Sequence, residues 1–138
     1  MITAPNIVTP RVQDKWAIWA ANNLGGRIVI VEGSDLVEMS LINGRIGSKN
    51  LLNLSVEQLG MDPFRPNMYD SLEDAIKDFE KTQVRYVMLD KINISRFPYL
   101  YEVYKPEWSR HFILVRSFRS GPGDKWEIKD MDIFKIVY

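Results

Sequence analysis

The sequence contains no cysteine, and that absence removes disulfide staples, thiolate nucleophiles and thiolate zinc sites together. It leaves the compartment open, because oxidising and reducing locations both hold cysteine-free domains. Net charge is missing as well. Eighteen basic residues balance 18 acidic ones, so no basic field gathers nucleic acid and no acidic tail solvates or repels. Long apolar runs are also lacking: stretches such as IVIV at 28–31 fall far short of the roughly 18 residues that span a bilayer. The first residues lack the basic and apolar blocks of a signal peptide, so the chain as given is expected to be soluble. Neither the spaced glycines of a dinucleotide fingerprint nor the GK[ST] of a phosphate loop occurs. No repeat or low-complexity tract is found. His111 is the single histidine; it has no second histidine for a zinc site, and the sequence indicates no nucleophile or acid to work with it.

What is present suffices for one core. The chain has 138 residues, 46% of them hydrophobic and 12% aromatic, which fits a single α/β domain over 1–138, complete or as a piece of a larger membrane protein. The clearest pattern is 71–90, SLEDAIKDFEKTQVRYVMLD. Leu72, Ala75, Ile76 and Phe79 stand at i, i+3, i+4 and i+7, one stripe of a helix, with Lys77, Lys81 and the acids on the other faces. Ser71 followed by Asp74 resembles a capping box. Thr82 and Gln83 break the period, and VRYVML at 84–89 reads as a strand ending in Asp90. Helix into strand is half of a βαβ unit, to which the rest can be attached.

Upstream, Thr9 and Pro10 open a helix predicted over 10–23, with Val12, Trp16, Trp19, Ala20 and Asn23 along one face and Gly25 and Gly26 stopping it. The tryptophans suit core contacts better than a stacking platform. RIVIVE at 27–32 is a strand covered on both faces. Gly33, Ser34 and Asp35 turn the chain, Ser34 or Asp35 caps a short helix to about Leu41, and Asn43–Gly44 and Gly47 make further turns. Residues 51–59 read equally as strand or helical turn, 60–70 as a loop, and 91–97 as irregular. Pro98 opens a short helix over 99–104 that Pro106 terminates. FILVRSF at 112–118 is a strand, 119–125 a loop, and 126–138 one long or two short strands. A loop of that length favours a hairpin. The predicted fold is therefore a three-layer α/β sandwich on a mixed sheet, parallel at its centre and antiparallel at the C-terminal hairpin.

In such a sheet the place for chemistry is beyond the C-terminal ends of the parallel strands. Asp35 and Asp90 meet that description, with Ser34 and Lys91 beside them, and these four residues are the candidate binding site. Two such acids can hold a hard cation, but an aspartate at a strand-to-helix turn is a capping residue first. Asp130 and Asp132, two apart in strand-like sequence, share a face and are read as solvated. The aromatic group Phe97, Tyr99, Tyr101, Tyr104 and Trp108 reads as a short helix laid on the sheet in preference to a lip for a sugar or base. Asn53-Leu54-Ser55 and Asn93-Ile94-Ser95 match the N-glycosylation pattern, which permits an extracytoplasmic location.

Taken in order, these pieces resemble the soluble extracytoplasmic domain of polytopic lipid-phosphosugar-dependent (GT-C type) glycosyltransferases, the dolichyl-phosphate-mannose protein mannosyltransferases among them. The resemblance rests on a helix carrying Trp16 and Trp19 and ending in Asn23, then GGRIVIVEG, then SLEDAIKDFEKTQVRYVMLD, then PYLYEVYKP, FILVRSF and DIFKIVY. It covers most of the chain, and its motifs are structural. It implies a non-catalytic domain that contributes to acceptor contact, packing or stability on the outer face of a membrane. The implied partners are the transmembrane part of its own parent chain and a lipid-linked sugar or glycan acceptor, not nucleic acid. It carries over no catalytic residue, because that family's essential acid lies between transmembrane helices. No cofactor and no resident metal are assigned. Two other classes remain open. One is a small metal-dependent phosphodiesterase or nuclease using Asp35 and Asp90 with a third acid; the other is a protein interaction module.

Overall fold

The structure is a computed structural model that describes residues 12–31, 36–54, 69–119 and 130–138. Among the described residues five strands form one sheet: β1 (Arg27–Val31), β2 (Leu51–Asn53), β3 (Val84–Asp90), β4 (Phe112–Phe118) and β5 (Met131–Ile136), in the order β2-β1-β3-β5-β4. β1 pairs in parallel with β2 and β3, while β5 runs antiparallel between β3 and β4. The α/β class, the parallel centre and the antiparallel C-terminal hairpin therefore stand as expected.

Helices cover both faces. α1 (Val12–Asn23) and α2 (Leu36–Ile46) lie on one side, where Trp16, Ala17, Ala20 and Ile42 pack on Ile28, Ile30, Met88, Met131 and Ile133. α3 (Leu72–Lys81) and a 3₁₀ helix at Pro98–Tyr104 lie on the other, where Leu72, Ala75, Phe79, Leu100 and Val103 pack on Val29, Val31, Val87, Leu89 and Phe134. Val29 and Val31 point one way and Ile28 and Ile30 the other, the alternation a strand requires. Because both directions are buried, the sequence of β1 is apolar throughout.

The helix boundaries have local causes. The Ser71 hydroxyl accepts from the Asp74 N–H at 3.1 Å, closing the start of α3. At its far end Gln83 takes a positive φ of 63° to turn into β3. α1 ends before Gly26, whose φ of +79° is a conformation that a residue with a Cβ adopts only under strain. α2 departs from expectation. It does not stop at Leu41 but runs through Asn43 and Gly44 to Ile46, ending at Gly47 with φ +87°. Ile42 is fully buried beneath it, and packing of that side chain outweighs the roughly 1 kcal/mol that an interior glycine costs. The ambiguous stretch after residue 50 enters the sheet as β2, with Leu51, Leu52 and Asn53 opposite Ile28, Val29 and Ile30. Residues 91–97 contain a 3₁₀ turn at Asn93–Arg96. The expected Thr9–Pro10 cap, most of the 60–70 loop and the 119–125 loop beyond Arg119 lie outside the described residues.

Candidate functional site

The topology defines one rim of the sheet. β1, β2, β3 and β4 all end there and β5 begins there. From β1 the chain passes over one face to β2, then returns over the opposite face to β3 on the other side of β1. Opposite steps over opposite faces keep both crossovers the same hand. The connections diverge between β1 and β3, which makes the rim at that point the topological switch where open α/β sheets bind ligands.

Of the four residues proposed from sequence, Ser34 and Asp35 follow β1 but lie outside the described residues. Asp90 is the last residue of β3 and is fully buried. Its Oδ1 accepts from the backbone N–H of Ile92 at 2.9 Å and of Asn93 at 3.4 Å. Its Oδ2 accepts from the Asn93 side-chain amide at 2.6 Å. The carboxylate thus folds the chain into the 3₁₀ turn that follows and presents no open oxygen to solvent. Lys91 is exposed; its Nζ stands 5.7 Å from the centre of the Tyr104 ring, and its backbone N–H donates to the Asp130 carbonyl. The same bonds occupy the Asn93 amide nitrogen, the atom a glycan would need. Asn53 ends β2, Leu54 after it is buried with its N–H donating to the Ile30 carbonyl, and Ser55 lies outside the described residues.

The rim holds a second buried carboxylate that sequence reading misplaced. Asp132 is 1% exposed and not part of a solvated face. Its Oδ1 accepts from the Ser117 hydroxyl at 2.8 Å and pairs with the Arg119 guanidinium at 2.7 Å. Its Oδ2 accepts from the Tyr104 hydroxyl at 2.7 Å. Register explains the burial: Asp132 sits opposite Leu89 on one side and Ser117 on the other, inside the sheet and under the 3₁₀ helix that carries Tyr104. Burial alone would raise its pKa, but the bonds from Tyr104, Ser117 and Arg119, with the Arg119 charge, hold it below the ordinary carboxyl value. Burial and the Asp132 carboxylate in turn push the Tyr104 hydroxyl well above its usual range. The signal available in sequence was a hydroxyl, an arginine and an aspartate on two adjacent strands, and it becomes readable only once the register is known.

Of the aromatic group, Phe97 is buried and Tyr99 and Trp108 pack against the core, while Tyr101 and Tyr104 are exposed. Phe97, Leu100 and Val103 are buried, and Tyr99 meets Tyr69 edge-on at 5.9 Å. Trp108 packs between His111 and Phe112. His111 stands just before β4, its Nδ1 2.7 Å from the Val137 carbonyl. Trp16 is fully buried; Trp19 is partly so, edge-on to Phe118. At the opposite rim an open depression of about 310 Å³ lies among Glu80, Gln83, Arg85, Lys135 and Tyr138, at the other end of β3 from Asp90 and Lys91. Among the described residues no group of three or more acidic or histidine side chains is placed to hold a metal. Nor is any helix among them long and apolar enough to cross a membrane. Comparison of the chain with protein-family models, with curated proteins and with solved structures finds no match in any of the three.

Proposed function

We propose that this chain is a non-catalytic α/β domain of a membrane glycosyltransferase of the lipid-phosphosugar-dependent kind, contributing acceptor contact, packing or stability on the extracytoplasmic side. The observation that carries the non-catalytic part is the state of the two buried carboxylates at the switch-point rim. Asp90 accepts three hydrogen bonds and Asp132 two plus an arginine ion pair, all from the chain's own groups. Freeing either for a metal or a proton transfer would leave its buried donors unpaired, at about 1–3 kcal/mol each. Such carboxylates act as structural ties. The glycosyltransferase part is supported by the ordered sequence resemblance alone.

The test is fractionation of source cells with an antibody against the domain. The expected result is a chain that stays with membranes after carbonate extraction at high pH. Quantitative release into the soluble fraction would refute the membrane parent. Manganese-dependent hydrolysis of bis(p-nitrophenyl) phosphate by the isolated chain, abolished in Asp90→Ala, would instead establish the phosphodiesterase.

A further inference from the structure

β4 is an edge strand whose apolar sequence is turned toward solvent. Ile113, Leu114 and Val115 are 43%, 53% and 40% exposed, and the strand pairs with β5 alone among the described strands. Such an edge offers a row of unpaired backbone donors and acceptors with apolar side chains on either side of it. The geometry points to β4 as a strand-addition site for a short, extended, acidic segment of a partner protein.

Charge selects the occupant. The eleven residues SRHFILVRSFR at 109–119 hold three arginines and no carboxylate. Arg119 is paired with Asp132. Arg116 is held beside the strand, 5.2 Å from the Phe118 ring centre and 5.9 Å from that of Trp19. No ion pair among the described residues engages Arg110, Arg116 or Lys135, and Lys135 lies opposite Ile113. A second copy added antiparallel would set this basic strand against itself, which like-charge pairing disfavours. Insertion into lipid would bury the open edge where nothing can bond its N–H and C=O groups, at several kcal/mol each. An acidic segment satisfies both the backbone and the arginines. The register shift between Leu114 and Arg116 divides the edge into two short runs, so the occupant is a few residues long. The inference does not depend on the glycosyltransferase reading.

The test is titration of the ¹⁵N-labelled chain with the capped peptide EVEVEVE, using KVKVKVK and phosphatidylglycerol vesicles as comparators. The expected result is EVEVEVE-specific shifts along β4 and at least tenfold slower exchange of the β4 amides that face away from β5, that of Leu114 among them, weakened several-fold by 0.5 M salt. Leu114→Glu, at an exposed position, should reduce the affinity at least tenfold; if that variant does not fold, Arg116→Glu should do the same. The proposal is overturned if these amides do not respond to millimolar EVEVEVE, or if KVKVKVK binds equally. It is equally overturned if only the vesicles shift these amides, or if their protection instead tracks self-association in sedimentation.

Discussion

Removing the Asp132 carboxylate tests whether the rim is held together by a single buried ionised group. In Asp132→Ala the hydroxyls of Tyr104 and Ser117 and the Arg119 guanidinium lose their shared acceptor. Breaking a buried pair by removing one partner typically costs about 3–5 kcal/mol. Arg119 is 44% exposed and recovers part of its loss from water, which places the expected cost near 3 kcal/mol. With a urea slope of about 1–3 kcal/mol per molar, the midpoint should fall by about 1–3 M. Asp132→Asn keeps the shape and lets the Tyr104 hydroxyl turn to accept, so it should cost about half as much. The pH dependence supplies an independent readout. The Asp132 pKa is lowered in the fold, so its contribution is complete above the unfolded carboxyl value of about 4 and is lost as pH falls through the folded value. Urea midpoints measured from pH 6 down to pH 2.5 should therefore decline less steeply in Asp132→Asn than in the wild type. Equal stability of the two proteins at pH 7, or an identical acid limb, would refute the network as described.

Four further outcomes follow from the same structure. Asp90→Ala should destabilise by about 2–3 kcal/mol, because it frees two backbone donors and a side-chain amide. Millimolar manganese should leave the wild-type melting temperature unchanged by scanning calorimetry, and a rise that Asp90→Ala abolishes would mark Asp90 as a metal ligand. Gln83→Gly relieves a φ of 63° and, after the entropy that glycine costs, should gain about 0.5–1 kcal/mol in urea titration; a loss would show the turn to be unstrained. Gly44→Ala, exposed in mid-helix with nothing within 4 Å of the added carbon, should gain about 0.8–1 kcal/mol and raise the melting temperature by a few degrees.

The parts of the fold legible in sequence are those where local chemistry and tertiary burial agree. In α3 the Leu72–Phe79 stripe, the Ser71 cap and the break at Thr82 all favour the observed ends, and β1 and β3 are apolar because both of their faces are covered. The sequence misled where a distant contact overrode a local signal. Asn43–Gly44 has turn chemistry, yet the burial of Ile42 carries α2 across it. Asp132 follows Asp130 at a spacing that suggests a wet face, and only its pairing with Ser117 across β4 reveals a buried one. The reverse error was available at FILVRSF, which resembles a core strand although its middle lies at the open edge. Period and composition do not distinguish an apolar strand inside a sheet from one at its margin, because strand order is a property of the whole chain.

That order has a consequence for synthesis. The last strand in sequence, β5, is inserted between β3 and β4. A ribosome emitting this chain releases β4 before any neighbour exists for it, so the half-made product carries an orphaned greasy ribbon. Only when residues 131–136 emerge does the layer become continuous. Arrest-peptide force profiling should accordingly register one late pull, after that segment has cleared the exit tunnel, with little tension from the preceding portion.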